Sequence, residues 1–190
     1  MFPYIFVLMC LFVSPLIIAL FIPKKYVLRR EAIIQRSTSE VFDYVKMLKN
    51  QEYFSKWVMT DPDLNPSYVG VDGQIGAKQA WKSQLKGVGK GVQEIKKIVT
   101  DENQGGEIQF EIKFEKPFKS TSQSAIIVER IAVDQTKNEQ TNKEQTKVTW
   151  EFSGNMVYPM NIMLLVISME KILGGDIATS LGTLKKVLEN

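Results

Sequence analysis

The chain has 190 residues, of which 24% are charged and 44% are hydrophobic. This length and composition are typical of one folded domain and exclude a disordered tail or a multi-pass membrane protein. The sequence contains no histidine and a single cysteine, Cys10, which excludes an internal disulfide, histidine-based metal sites and serine–histidine or cysteine–histidine nucleophile pairs. A binding domain remains, or an enzyme that uses carboxylate, tyrosine, lysine or arginine side chains without a metal or other cofactor.

An uncharged apolar segment opens the chain. Residues 2–22 are 21 consecutive residues without a charge, and a helix of that length is roughly 31 Å long, about the thickness of the hydrocarbon core of a bilayer. No basic residue precedes the segment and no small-x-small pattern ends it, which favours a retained anchor over a cleaved signal peptide. Cys10 is not a lipoprotein site, because Met9 stands where a small residue is required. We expect a transmembrane anchor over residues 1–23 and a folded domain over residues 24–190.

Basic residues are concentrated directly after this segment. Residues 24–36 hold five of them against Glu31 alone, a charge of 5 − 1 = +4, and leave the rest of the chain at +3 − 4 = −1. The five are Lys24, Lys25, Arg29, Arg30 and Arg36. The positive-inside rule places the domain in the cytoplasm, at the inner face of the cell membrane, and the first four are also candidates for binding anionic headgroups at about 1 kcal/mol each. A solvated strand edge explains the same charges, and the near-neutral remainder argues against a nucleic-acid partner.

The first elements of the domain are predicted to be a strand and two helices. Residues 25–36 are rich in β-branched side chains and predict a strand. The S-x-x-E spacing at residues 37–40 is that of a capping box, and apolar residues at helical spacing follow, which predicts a helix over about 38–48. A second short helix or turn carries residues 53–57, and prolines mark a loop over 61–66.

Six antiparallel strands are predicted next. They lie near residues 67–71, 76–84, 91–99, 107–115, 120–133 and 147–153. The clearest is 107–115, where apolar and polar residues alternate, as in a strand with one buried face. The polar run over residues 134–146 is predicted to be a mobile loop.

The chain closes with a predicted amphipathic helix. Apolar residues step by three or four from Val166 to Leu188. Gly174 and Gly175 interrupt this stripe, so the helix is expected to kink there, or Asp176 to cap a second piece. Strands that run together and a helix that closes them predict an α+β fold rather than a βαβ nucleotide-binding fold.

This order of elements resembles the SRPBCC superfamily, the START-like or Bet v 1-like proteins, and within it the polyketide cyclase/dehydrase-like group. The matching stretches are the I-x-R…S-x-x-E-V-F-D-Y-V…N…W run of residues 33–57, residues 87–91, residues 149–156 and residues 173–185. The resemblance implies a helix-grip fold, in which a curved antiparallel sheet wraps around the C-terminal helix and leaves a hydrophobic cavity. Members of the family bind lipids, sterols, polyketides or hormones, and a minority catalyse cyclisation or dehydration.

Aromatic and methionine side chains are the candidates for lining such a cavity. They are Trp57, Met59, Trp81, Phe110, Phe114, Trp150, Phe152, Met156, Tyr158, Met160 and Met163. Ordinary core packing explains any single one of them more often than ligand contact does. As a group, residues 156–169 are favoured, because they hold four of the eight methionines and are apolar nearly all round. They are expected to line the cavity mouth or to touch the bilayer.

Candidates for catalysis are few. Tyr158 and Asp176 are expected near the cavity rim and can serve as acid or base if desolvated, although a hydrogen-bonded tyrosine and a helix cap are the commoner roles. Gly87-x-Gly89-x-Gly91 is not a phosphate loop, since no Gly-Lys-Ser/Thr closes it. Three hypotheses follow: a membrane-anchored domain that binds a hydrophobic small molecule or lipid without catalysis, a cyclase or dehydratase, and an interaction domain whose cavity is only a core.

Overall fold

The computed structural model describes residues 2–85, 87–101, 105–116, 119–131 and 144–190, and for residues 2, 3 and 5–8 it describes the backbone. Most of the loop predicted over 134–146 lies outside the described residues. The helices are α1 (Phe2–Phe21), α2 (Thr38–Val45), α3 (Gln51–Phe54), α4 (Lys56–Met59) and α5 (Met169–Glu189), with 3-10 helices over Leu48–Asn50 and Met160–Leu165. The strands are β1 (Lys25–Ile34), β2 (Ser67–Val69), β3 (Lys78–Lys82), β4 (Lys90–Asp101), β5 (Gly105–Lys116), β6 (Ser120–Arg130) and β7 (Thr146–Asn155).

One curved antiparallel sheet contains all seven strands, in the order β1-β7-β6-β5-β4-β3-β2. The pairing of β1 with β7 brings the first strand beside the last. In β5 the predicted alternation is confirmed, because Ile108 and Phe110 are buried while Lys113 and Glu115 are exposed. The fold is α+β, with one face of the sheet turned toward the helices.

Helix α5 packs across the inner face of the sheet and is continuous. Its Ser168 cap accepts a hydrogen bond from the Lys171 backbone N–H at 3.3 Å, and Ile177 lies on its buried face. The predicted second cap at Asp176 is wrong, because Asp176 lies inside this one helix. Gly174 accommodates a neighbouring side chain. A Cβ on Gly174 would lie 2.6 Å from the Arg30 guanidinium, which pairs with Glu170 one turn earlier.

Helix α2 begins as the capping box predicts and ends earlier than predicted. The Ser37 hydroxyl accepts a hydrogen bond from the Glu40 backbone N–H at 3.3 Å. The helix ends at Val45 because Asp72 accepts a hydrogen bond from the Leu48 N–H at 2.7 Å and holds a separate 3-10 turn. This contact joins residues 24 positions apart.

The core lies between the sheet and the helices. Phe54 of α3 is completely buried. Its ring meets the Trp150 ring edge-on at 6.0 Å and lies tilted against the Tyr44 ring at 6.2 Å. The Trp150 indole N–H donates to Ser124 Oγ at 2.9 Å, so the aromatic core keeps its polar atom satisfied.

Helix α1 precedes β1 and carries no charged residue. Across the described ranges, no helix is both long enough and apolar enough to cross a membrane.

Candidate ligand-binding cavity

A cavity of about 160 Å³ lies between the inner face of the sheet, the α3–α4 segment and α5. Its lining is apolar and aromatic with a few amide and hydroxyl side chains. The lining residues are Gln51, Ser55, Trp57, Val58, Leu64, Gln79, Trp81, Gly87, Val88, Gln93, Ile112, Phe114, Phe152 and Leu173.

The register of the strands brings together the lining residues that belong to the sheet. Gln79 of β3 pairs with Gln93 of β4, and Gln93 pairs with Ile112 of β5. Two residues along each strand, Trp81 pairs with Gly91, and Gly91 pairs with Phe114. Since residues two apart on a strand share a face, these pairs form two adjacent rows on the inner surface.

Gly91 creates the space for the Trp81 indole. A Cβ at this position would lie 2.6 Å from the Trp81 ring and 2.7 Å from the Lys113 carbonyl oxygen. The indole N–H donates to the Val88 carbonyl at 3.2 Å, and its ring meets Phe114 edge-on at 5.9 Å. Trp81 is therefore fixed against the sheet as one wall of the cavity.

Helix α4 forms another wall and is tied to α5. The Lys56 backbone N–H donates to Ser180 Oγ at 2.8 Å, and the Ser180 hydroxyl donates to the Asp176 carbonyl oxygen at 2.8 Å. Trp57, the next residue, lies edge-on to Trp150 at 5.8 Å and tilted against Phe152 at 6.4 Å. The indole of Trp57 is thus positioned by both the helix pair and the sheet.

Three buried glutamines, Gln51, Gln79 and Gln93, meet at one side of the cavity. The Gln93 amide nitrogen donates to Gln51 Oε1 at 2.6 Å and to Gln79 Oε1 at 2.7 Å. The Gln79 amide nitrogen donates to the Tyr68 hydroxyl at 3.0 Å, and that hydroxyl donates to the Glu52 carboxylate. Burial, and then the Glu52 hydrogen bond, raise the pKa of Tyr68. We call this series of hydrogen bonds, which runs from Gln51 through Gln93, Gln79 and Tyr68 to Glu52, the glutamine relay.

Sequence reasoning missed the glutamine relay. Gln79 follows buried Ala77 at the two-residue interval and Gln93 precedes buried Ile95 in the same way, so both occupy the inward positions of their strands. A polar residue on an apolar strand face was the available signal.

The structure divides the predicted ligand-binding residues into groups. Trp57, Trp81, Phe114 and Phe152 line the cavity. Phe110 and Trp150 belong to the buried core behind it. The other five are not in the lining of this cavity: Met59, Met156, Tyr158, Met160 and Met163.

Residues 156–163 lie instead where α1 ends. Asn161 of the 3-10 helix is completely buried, and its side-chain nitrogen donates to the Ala19 carbonyl at 2.6 Å and to the Ile22 carbonyl at 2.9 Å. It thereby satisfies carbonyl groups that a helix end leaves free. Further along the segment, the apolar side chains of Leu165 and Val166 are exposed.

Neither predicted catalytic candidate lies in the cavity lining. Tyr158 is 40% exposed. Asp176 is inside α5, where its backbone carbonyl accepts from Ser180. In the described part of the chain, no three acidic or cysteine side chains are close enough together to hold a metal ion.

The four basic residues assigned to the membrane surface have different surroundings. Arg29 pairs with Glu31 at 3.1 Å and with Glu151 at 3.2 Å, and Arg30 pairs with Glu170. Lys24 and Lys25 are exposed. The two arginines are thus held by acidic partners of the domain itself.

No protein-family model and no curated protein matches the sequence, whereas several solved structures resemble the chain. A hypothetical protein from Helicobacter pylori superposes with a TM-score of 0.61 at 10% identity, over 86% of this chain and 88% of that one. Norcoclaurine synthase from Thalictrum flavum, in complex with dopamine and hydroxybenzaldehyde, gives 0.55 at 11% identity, over 87% and 88%. The XoxI protein from Bacillus cereus gives 0.53 at 14% identity, over 85% and 94%.

Likeness at this low identity shows the fold alone. The chain has the Bet v 1-like, START-like fold, with a curved seven-stranded antiparallel sheet against a long C-terminal helix. The architecture implied by the sequence resemblance is confirmed.

Proposed function

We propose that this chain is a membrane-anchored domain that binds a hydrophobic small molecule, or the end of a lipid, in its internal cavity without catalysing a reaction. The observation that carries the proposal is the cavity itself. Its walls are the Trp57, Trp81, Phe114 and Phe152 rings together with aliphatic side chains such as Leu173. Apolar concave sites with a few convergent polar groups are the usual form of small-molecule sites.

The size of the cavity limits the ligand. Its volume of about 160 Å³ is below the roughly 300–1,000 Å³ of pockets that bury drug-sized molecules. It is close to the ~150 Å³ cavity that holds benzene in an engineered protein. The cavity therefore suits a ring-sized molecule, or one end of a longer chain whose remainder lies outside.

The chemistry of the lining favours binding over catalysis. The side chains that line the cavity are apolar, amide or hydroxyl groups, which solvate and orient a ligand but are poor acids and bases at neutral pH. The competing cyclase or dehydratase function needs Tyr158, Asp176 or another carboxylate at the reacting atoms, and none of these groups is in the cavity lining. In an interaction domain without a ligand, side chains would fill this space as an ordinary core. The cavity therefore disfavours the interaction-domain hypothesis.

The membrane part of the proposal rests on the uncharged segment of residues 2–22 and on the basic residues that follow it. Exposure of large apolar side chains on α1, such as Phe12 and Phe21, supports it, because large apolar patches on a protein surface commonly mark membrane or protein contacts. The positive-inside rule gives a cytoplasmic domain at the inner membrane. Lys24 and Lys25 are the groups most available for anionic headgroups.

A ligand that co-purifies is the first test of the binding function. The full-length protein is purified in mild detergent, denatured and extracted, and the extract is analysed by mass spectrometry. We expect one hydrophobic molecule at reproducible stoichiometry, and its loss from a Leu173→Trp variant in which the cavity is filled. Identical extracts from both proteins would contradict the proposal.

Residues 163–166 are expected to contact lipid, because Asn161 holds this segment beside the end of α1. A photo-crosslinking amino acid at position 166 is expected to capture phospholipid in liposomes several-fold more efficiently than the same group at position 71. Val166 and Val71 are 87% and 72% exposed, but Val71 follows β2, the strand at the far edge of the sheet from β1. Equal capture at the two positions would contradict the predicted lipid contact of residues 163–166.

A further inference from the structure

We propose that the cavity selects molecules that combine a ring-sized apolar body with a hydroxyl group, and that the free amide atoms of Gln51 and Gln93 bind this hydroxyl. The inference deepens the proposed function and rests on it, because both concern the same cavity. The direction of each hydrogen bond in the glutamine relay decides which amide atoms stay free.

The Glu52 carboxylate sets these directions. A carboxylate only accepts hydrogen bonds, so the Tyr68 hydroxyl gives its proton to Glu52 and its oxygen accepts from the Gln79 amide nitrogen. Gln79 therefore turns its amide oxygen toward Gln93. A reversed Gln79 amide would place its oxygen 3.0 Å from the Tyr68 oxygen, with no hydrogen between these two acceptors.

The same constraint continues to the cavity end of the relay. Gln93 must present its nitrogen to Gln79, and the second hydrogen of that nitrogen is donated to Gln51 Oε1 at 2.6 Å. The amide nitrogen of Gln51 and the amide oxygen of Gln93 are left over. Among the described residues neither atom has a protein partner, although the two side-chain amides are joined by one hydrogen bond.

These two free atoms face the cavity rather than a closed interior. Gln51 and Gln93 are only 4% and 7% exposed, and both line the cavity. In the described part of the chain, Asn161 Oδ1 is the one enclosed side-chain polar atom without a partner, so the free atoms of Gln51 and Gln93 retain accessible surface. One free donor and one free acceptor, on two side chains joined by a hydrogen bond, are thus available in a cavity with mostly apolar walls.

A hydroxyl group is the simplest partner for this pair of atoms, because it both donates and accepts. A bare hydrocarbon would fill the same space and leave the Gln51 amide nitrogen and the Gln93 amide oxygen without a partner, and burying an unpaired polar group is unfavourable. A site built to bind a hydroxyl therefore discriminates against an analogue that lacks it.

Two nearly isosteric probes, para-fluorophenol and fluorobenzene, test this selectivity. Their binding to the full-length protein in detergent is followed by fluorine NMR, with the Leu173→Trp protein in the same detergent as the reference for partitioning. We expect the wild type to bind para-fluorophenol about tenfold more tightly than fluorobenzene. The Gln51→Leu variant is expected to bind the two probes with about equal affinity.

A second variant tests the relay if the Gln51→Leu protein does not fold. Tyr68→Phe removes the hydroxyl that orients Gln79 and is expected to reduce the preference to about threefold. The control Tyr53→Phe, an exposed tyrosine of α3, is expected to keep it at about tenfold.

The outcomes separate the two proposals. Equal affinity of the two probes for the wild type would mean that water satisfies the amides, and would overturn the hydroxyl selectivity while the binding function stands. An unchanged preference in both Gln51→Leu and Tyr68→Phe would also overturn it. Failure of both probes to bind the wild type would overturn the binding function and the selectivity together.

Discussion

Replacing Leu173 by tryptophan is expected to weaken fluorobenzene binding at least tenfold, equivalent to about 1.4 kcal/mol or more. Leu173 lies on α5 and lines the cavity, so a larger side chain there occupies the space that the ligand needs. The domain is expected to remain folded, because the added volume enters an existing cavity rather than a packed core. Fluorine NMR titration of the full-length protein measures the change.

Ile172→Trp is the matched control for this substitution. Ile172 precedes Leu173 on the same helix but is exposed, so the same increase in side-chain size leaves the cavity unchanged. We expect its fluorobenzene affinity to stay within about twofold of the wild type. Equal loss of affinity in both variants would place the probe on the helix surface or in detergent and not in the cavity.

Phe54→Ala is expected to lower the free energy of unfolding by about 3–5 kcal/mol, a large part of the roughly 5–15 kcal/mol of a typical domain. Phe54 is completely buried and its ring packs against those of Trp150 and Tyr44. The substitution removes these contacts and leaves a void that surrounding side chains fill only in part. Denaturant unfolding monitored by tryptophan fluorescence measures the loss.

Tyr53→Ala, one residue earlier on α3, is the control for Phe54→Ala. Both variants place alanine in the same short helix, but only Phe54→Ala removes a buried ring. Tyr53 is exposed, and its truncation is expected to change the free energy of unfolding by about 0.5 kcal/mol or less. A loss below about 1 kcal/mol for Phe54→Ala would contradict the position of that ring at the centre of the core.

Local patterns were sufficient to predict the elements of the fold. The alternation in β5 follows from the pleat of a strand, and the Ser37 cap follows from spacing along the chain. The predictions failed where a distant residue decides the outcome. Asp72 binds the turn after α2 from 24 positions away, and Arg30 of β1 lies so close to position 174 of α5 that a Cβ has no room there.

The candidate site was predictable only in part for the same reason. Large rings such as those of Trp81 and Phe114 indicate an apolar wall by their residue type alone. Gln79 and Gln93 become neighbours only through the register of β3 with β4, which the sequence does not specify. The apolar segment around Met163 is visible from its composition, but its place beside α1 depends on two hydrogen bonds of Asn161.

The position of a bound probe shows directly whether a hydrophobic molecule occupies the cavity. Toluene is bound to the full-length protein, and intermolecular nuclear Overhauser effects are recorded between its methyl group and assigned side chains. We expect effects to the Trp81 indole, the Phe114 ring and the Leu173 methyl groups. Effects confined to α1 or to detergent, with none to these three residues, would contradict it.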